Sequence, residues 1–271
     1  MKNICELLNI KYPLIQGGMA NIATHVLAAA VSNAGGLGLI GSGGNDVNWV
    51  RNEIRETRKL TDKPFGVNIM LMSPHSEDIA KMIIEEKVAV VTTGAGNPGR
   101  FIPSWKEANI KVIPVVPSVS LAIRMERAGA DAVIVEGTEA GGHIGELTTM
   151  ALVPQAVDAV NIPIIAAGGI ADRRQVAAAF LLGAKGVQVG TVLLASDECP
   201  IHINYKQKIV DAKDTDTIVT GRSTGAPVRV LKNPMSREYV KMENSATQEE
   251  LEKLTLGSLR RAVLNGDLDN G

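Results

Sequence analysis

The chain has 271 residues, 45% of them hydrophobic, and a formal net charge of −1. That length suits one barrel-sized domain or two small ones, and the near-neutral charge excludes a basic nucleic-acid-binding surface as the main feature. No apolar run reaches the ~18 residues of a membrane span, and the start, MKNICELLNIKYPLIQGG, has no secretory core with a small-residue cleavage site.

Cys5 and Cys199 are isolated and lack metal-ligand spacing, so both read as small hydrophobes in a cytoplasmic protein. Aromatic residues make up only 3% of the chain against 27 glycines, which predicts many tight turns and close backbone approaches. In chain order, a first strand is predicted at 13–17 (PLIQG), a helix at 23–34 and a strand at 36–40 (GLGLI). A helix at 47–60 leads to a strand at 65–70 (FGVNIM), and a helix at 75–86 to a strand at 88–93 (VAVVTT). Helix 100–108 precedes strand 111–116 (KVIPVV), and helix 118–128, opened by Ser118 and stopped by Gly129, precedes strand 131–135 (DAVIV). Helix 149–160 and strand 163–167 (PIIAA) follow, then helix 172–182 between Asp172 and Gly183, and strand 186–190 (GVQVG).

Continuous apolar strands alternating with helices predict an α/β fold, a (β/α)₈ TIM barrel. The competing open doubly wound sheet typically starts with GxGxxG, where this chain has Gln16-Gly17-Gly18-Met19. Residues 1–194 are read as the barrel core. Residues 195–271 are charged and poor in strand signal, with helical patterns near 201–213 and 247–265, and are expected to form a helical extension packed on the barrel.

The strand C-terminal ends form a barrel's reaction face. They carry Gly17-Gly18-Met19, Gly41-Ser42, Asn68, Thr92-Thr93-Gly94, Glu136, Gly168-Gly169 and Gly190-Thr191, a rim suited to a flat ring system lying against backbone. The glycines after the seventh and eighth strands point to a phosphate cup of backbone N–H groups with a helix N-terminus behind it; plain tight turns are the alternative. His143 sits among Gly141, Gly142 and Gly145 on the same face, where an imidazole can exchange a proton near neutral pH. His25, His75 and His202 read as structural, and no second ligand stands at metal spacing, so no metal site is expected. The loop TTGAGNPGR (92–100) either lines a substrate or cation pocket through its carbonyls and Asn97 or simply turns the chain.

The stretches YPLIQGGMA, SNAGGLGLIG, LTDKPFGVNIMLMSP, VTTGAGNP, VIPVVPSVSLA, GADAVIVEGTEAGGHIGELTTM, IPIIAAGGIAD and VQVGT, in this order, resemble the nitronate monooxygenase-like flavoproteins. Within them the wording of LTDKPFGVNIMLMSP and GGHIGELTTM is most similar to the FMN-dependent enoyl-acyl-carrier-protein reductase II branch. The resemblance covers most of residues 1–191 and continues more loosely to the end. It implies one non-covalent FMN, NAD(P)H as electron donor, and a homodimer. Gly18, Met19 and Asn68 would approach the flavin ring and ribityl chain, Glu136 would contact the flavin side of the site, and Gly168, Gly169, Gly190 and Thr191 would hold the phosphate. His143 matches the family's active-site histidine.

The implied partner is an acyl-carrier-protein thioester with a trans-2-enoyl chain. The competing readings are a small nitro compound, oxidised as its nitronate with O₂, and a flavin-binding protein without turnover. The chain departs from the family at Asn21, where Trp is usual, and at Val192-Leu193, where Arg-Phe is usual. The family also continues beyond the position of Asp269-Asn270-Gly271 into a Ser-x-Met-Ala-Gly-Gln stretch that helps cover the flavin, so the extension reads as a shortened one.

Overall fold

The computed structural model describes residues 3–271. Its strands in chain order are β1 (Leu14–Gln16), β2 (Gly38–Gly41), β3 (Phe65–Met70), β4 (Val90–Gly94), β5 (Lys111–Val116), β6 (Val133–Glu136), β7 (Gly142–His143), β8 (Ile164–Ala167), β9 (Gly186–Val189), β10 (Thr217–Thr220) and β11 (Val228–Leu231). Eight of them form one parallel sheet in the order β1-β9-β8-β6-β5-β4-β3-β2, and Ile15 bridges to Leu37 to bring the two edges together. The result is the TIM barrel that the alternating pattern predicts, with every barrel strand within a few residues of its expected place.

Helices α2 (His25–Asn33), α3 (Val47–Leu60), α4 (Ser76–Glu85), α5 (Ile102–Glu107), α6 (Val119–Ala128), α7 (Thr149–Ala159) and α8 (Arg173–Leu181) cover the outside. Their ends follow local chemistry. Ser118 accepts from the Leu121 amide and Gly129 closes α6 at φ +97°, while Asp172 and Gln175 form a reciprocal capping box at the start of α8. The short α1 (Ile4–Leu8), not anticipated from the sequence, sends Ile4 and Leu8 into the barrel interior, where they pack with Ile15, Leu37, Leu39, Val90, Ile113, Ile134 and Ile165. No helix among the described residues is long and apolar enough to cross a membrane.

The extension is mainly helical, as expected, and adds a hairpin that the sequence did not suggest. After a 3₁₀ turn at Thr191–Ala195 come α9 (Ile203–Asp211), the antiparallel hairpin of β10 and β11, α10 (Pro234–Met242), α11 (Gln248–Thr255) and α12 (Ser258–Asn265). The hairpin was hidden because TIVT and VRVL are short and mix threonine and arginine with valine, which weakens the apolar alternation. The single helix expected over 247–265 is broken at Gly257, whose φ of +71° interrupts the helical path. Leu194, Cys199, Ile201 and Val263 bury against Ile22, Leu27 and Val31, so apolar contact fixes the extension to the flank of α2.

Where β1 meets β2, the backbone ladder is short: the Gln16 amide donates to Leu37 O at 2.9 Å and the Leu37 amide to Leu14 O at 2.9 Å. The buried side chain of Gln16 extends it, its Nε2 donating to Leu39 O at 2.8 Å while its Oε1 accepts from the Leu39 amide at 3.4 Å. A side-chain amide here stands in for a peptide unit. Gln16→Leu keeps the volume but strands a buried N–H and C=O, each costing about 1–3 kcal/mol. The substitution should therefore lower unfolding free energy by roughly 2–5 kcal/mol in urea titration. A loss under about 1 kcal/mol would mean the seam closes without Gln16.

Candidate active site

Chain closure brings the ends of β1, β3 and β9 to one side of the mouth. A Cβ on Gly18 would lie 2.2 Å from the Asn68 side chain, so only glycine lets the turn after β1 rest on that amide. Asn68 in turn donates from Nδ2 to Thr92 Oγ1 at 2.9 Å. The Met19 sulfur lies 3.6 Å from the Cβ position of Gly190, which joins the first rim turn to the last. Gly18, Met19, Asn68 and Gly190 thus form one patch. Just below it the buried Gln188 holds its Oε1 without a partner among the described residues, an orphaned acceptor suited to a hydroxyl of a bound molecule. A polar residue inside the apolar run GVQVG is the sequence signal for it. Asn21, at the family's usual Trp position, adopts φ +60°, a left-handed conformation asparagine tolerates well.

Gly168 and Gly169 take consecutive left-handed conformations, φ +97° and +71°. A Cβ on Gly168 would press to 2.8 Å from Gly137 O, so the turn is packed as closely as backbone permits. The amides of Gly168, Gly169 and Gly190 donate to no acceptor among the described residues. Free N–H groups from two adjacent loops make a cradle that fits a phosphate. The helix N-terminus expected behind it contributes less than predicted, because Asp172 already accepts from the amides of Arg174 and Gln175 and Gln175 Oε1 accepts from those of Ala171 and Asp172. The cup is therefore built of loop amides, with Thr191 opening the 3₁₀ turn.

The segment from Gly137 to Thr148 carries His143. It is not the free glycine loop expected from the sequence, because Gly142 and His143 pair as β7 with Arg229 and Val228 of β11. The Ile144 amide also donates to Pro227 O at 3.0 Å. At its base, Glu139 accepts from the Thr149 amide at 2.9 Å. Gly141 faces Thr191, its Cβ position 3.7 Å from Thr191 Oγ1, so the loop spans the cup. His143 itself is exposed and has no hydrogen-bond partner among the described residues, leaving both ring nitrogens available.

Of the other histidines, His25 Nδ1 lies 2.8 Å from Glu53 and His202 accepts from the Asn204 amide, while His75 stands at the N-cap position of α4 without a side-chain cap hydrogen bond. In the loop after β4, Asn97 Oδ1 accepts from the Gly99 amide at 3.0 Å, so this side chain serves the turn.

Glu136 ends β6 in register with Ala167, and Ala167 with Gln188, so the carboxyl and the orphaned amide stand at one level of the barrel. Part of the residue surface stays open, yet desolvation of the carboxyl pushes its pKa up to about 7 from an ordinary 4.5. The group can hold or release a proton at neutral pH. Between pH 4.5 and 7 the native state keeps a proton that the unfolded chain releases, so the carboxyl's contribution to stability is lost as pH rises through that window. After discounting for solvent screening, the cofactor-free protein should lose about 2 kcal/mol from pH 5 to pH 8 relative to Glu136→Gln. Parallel denaturation curves for the two proteins at every pH would contradict the raised value.

A family model described as nitronate monooxygenase matches residues 2–271. The probable nitronate monooxygenase of Staphylococcus saprophyticus is 38% identical, the alignment covering 97% of this chain and 87% of the relative. Among solved structures, FabK from Thermotoga maritima superposes with a TM-score of 0.98 at 55% identity, over 100% of this chain and 87% of that one. The nitroalkane oxidase from Streptomyces ansochromogenes superposes with a TM-score of 0.83 at 29% identity, over 93% and 85%. With its glycine rim, loop-amide cradle and His143 loop on the same barrel, the chain belongs to the nitronate monooxygenase family.

Proposed function

We propose that the protein is an FMN-dependent oxidoreductase of the cytoplasm that reduces trans-2-enoyl-acyl-carrier-protein thioesters with electrons from NAD(P)H, acting as a homodimer. The observation that carries this reading is the 55% identity with FabK, an enoyl-acyl-carrier-protein reductase II, along the whole chain. It exceeds the identities to the probable nitronate monooxygenase and to the nitroalkane oxidase, at 38% and 29%.

When bound, the flavin supplies a carrier that accepts hydride from the nicotinamide and passes hydride to the acceptor. The protein's part is to hold and to exclude. Gly168, Gly169, Gly190 and Thr191 take the phosphate, Gly18, Met19 and Asn68 take the ring and ribityl chain, and Glu136 faces the flavin side of the site. Reduction of an enoyl thioester adds hydride at the β-carbon and a proton at the α-carbon. With a proton on its imidazole, His143 would polarise the thioester carbonyl or deliver that proton. The same imidazole, unprotonated, could take a proton from a small nitro compound, and the family name favours that second reading. NADH oxidation by the purified protein should accelerate with crotonyl thioester and not with a nitronate. Oxygen uptake with a nitronate in the absence of NADH, together with no NADH oxidation on crotonyl thioester, would select the monooxygenase reading.

Two substitutions separate binding from chemistry. Gly169→Asp places a carboxylate in the cradle and beside Glu139, whose Cβ lies 3.0 Å from the new Cβ position. Like charges in a partly dehydrated site oppose phosphate by several kcal/mol, on the order of magnitude expected near a protein surface. The variant should lose its flavin on gel filtration, and a variant that stays yellow would place the phosphate elsewhere. His143→Ala should leave FMN affinity and flavin reduction by NADH nearly unchanged while slowing re-oxidation by the enoyl thioester ~10²–10⁴-fold. Stopped-flow traces with an unaltered re-oxidation rate would remove His143 from the chemistry.

A further inference from the structure

The loop from Gly137 to Thr148 contains four glycines, Gly137, Gly141, Gly142 and Gly145, and so has unusual freedom to lose on ordering. Its base is fixed locally: the Thr138 amide donates to Leu147 O at 2.8 Å, and Glu139 holds the first turn of α7 through Thr149. These contacts leave the tip undetermined. The His143 ring makes no hydrogen bond of its own among the described residues, so the imidazole lies wherever its backbone puts it.

What fixes the tip comes from the extension. β11 pairs with β7, and the Arg229 side chain returns from that strand to the loop's base. Its Nε and Nη2 both donate to Thr138 O, at 3.2 and 3.1 Å, and its Nη1 donates to Thr217 Oγ1 on β10 at 3.2 Å. One planar guanidinium thus ties the base of the loop to both strands of the hairpin while its own backbone supports the tip. No carboxylate is within ion-pair distance of Arg229 among the described residues, so its donors serve geometry and not charge neutralisation. Lysine could offer one ammonium to Thr138 O but could not span to Thr217 at the same time.

We propose that Arg229 is a positioning residue that clamps the His143 loop to the hairpin, so that the extension sets the imidazole's place over the barrel mouth. The inference rests on the catalytic reading of His143 for its functional half and on geometry alone for its structural half. Displacement of a reacting group by ~1 Å can cost ~10²-fold in rate, so a loosened clamp should show in the step that uses the imidazole.

The test compares Arg229→Ala, Arg229→Lys and the native protein in the FMN-loaded form, each alone and combined with His143→Ala. Hydrogen–deuterium exchange of the amides from 138 to 144 should rise ~10-fold or more in Arg229→Ala, with the barrel strands unchanged and Arg229→Lys intermediate. Re-oxidation by the enoyl thioester should fall ~10-fold, FMN affinity and reduction by NADH should stay within ~3-fold, and the loss should vanish in the His143→Ala background. Unchanged exchange in Arg229→Ala would overturn the clamp. An equal fall in re-oxidation with and without His143 would overturn its action through the imidazole. Should His143→Ala alone leave re-oxidation intact, the catalytic reading of His143 falls, and the exchange result still decides whether Arg229 holds the loop. If the alanine variant fails to fold, the lysine variant carries the same comparison.

Discussion

The closure of the parallel sheet between β1 and β2 is the constraint on which the site depends. A sheet left open at this seam would let the turn after β1, still paired with β9, drift from Asn68 on β3. The backbone provides only a short ladder there, and the buried amide of Gln16 completes it by imitating a peptide unit toward Leu39. Once the ring is shut, the turn after β1 rests on Asn68 of β3 and meets Gly190 after β9 because Gly18 lacks a Cβ, and Gly168 lets the turn after β8 pack on Gly137 after β6 in the same way. The free loop amides, the orphaned Gln188 oxygen and the desolvated Glu136 carboxyl stand at the same end of the barrel. The buried Gln188 oxygen is costly without a donor, which is a property of a binding site and not of a structural core.

The His143 loop adds a second constraint from outside the barrel. A glycine-rich segment can approach a bound molecule closely, but the same freedom works against a fixed imidazole. The hairpin of β10 and β11 resolves the conflict by giving the loop a strand partner. The extension therefore takes part in building the mouth, and its apolar attachment beside α2 sets where that hairpin can stand.

The barrel was legible in the sequence because parallel strands covered on both faces must be continuous apolar runs, and VAVVTT, KVIPVV and PIIAA are such runs. The rim was legible because glycine directly after a strand serves few purposes other than close backbone approach. The hairpin was not, since TIVT and VRVL lack a clear apolar alternation, and no local pattern announces the pairing of β11 with β7, far back in the chain. Helix α1 escaped because five residues are too few to display a helical period. Gln16 and Gln188 stand as single polar residues within strands, and their importance appears only when one is found to face backbone groups of Leu39 and the other to hold an acceptor that no donor among the described residues reaches. Arg229 had no local signature at all. Its role exists only in the folded arrangement of Thr138 and Thr217.

The central claim is that the loop amides after β8 and β9 hold the phosphate of a flavin mononucleotide. Titration of the cofactor-free protein with FMN and with riboflavin, followed by quenching of flavin fluorescence, tests it with two ligands that differ only in that phosphate. Charge-assisted hydrogen bonds are worth about 1.5–3 kcal/mol each, so FMN should bind at least ~100-fold more tightly than riboflavin. Equal affinity for the two would contradict the account, because the glycine cradle would then play no part in holding the flavin.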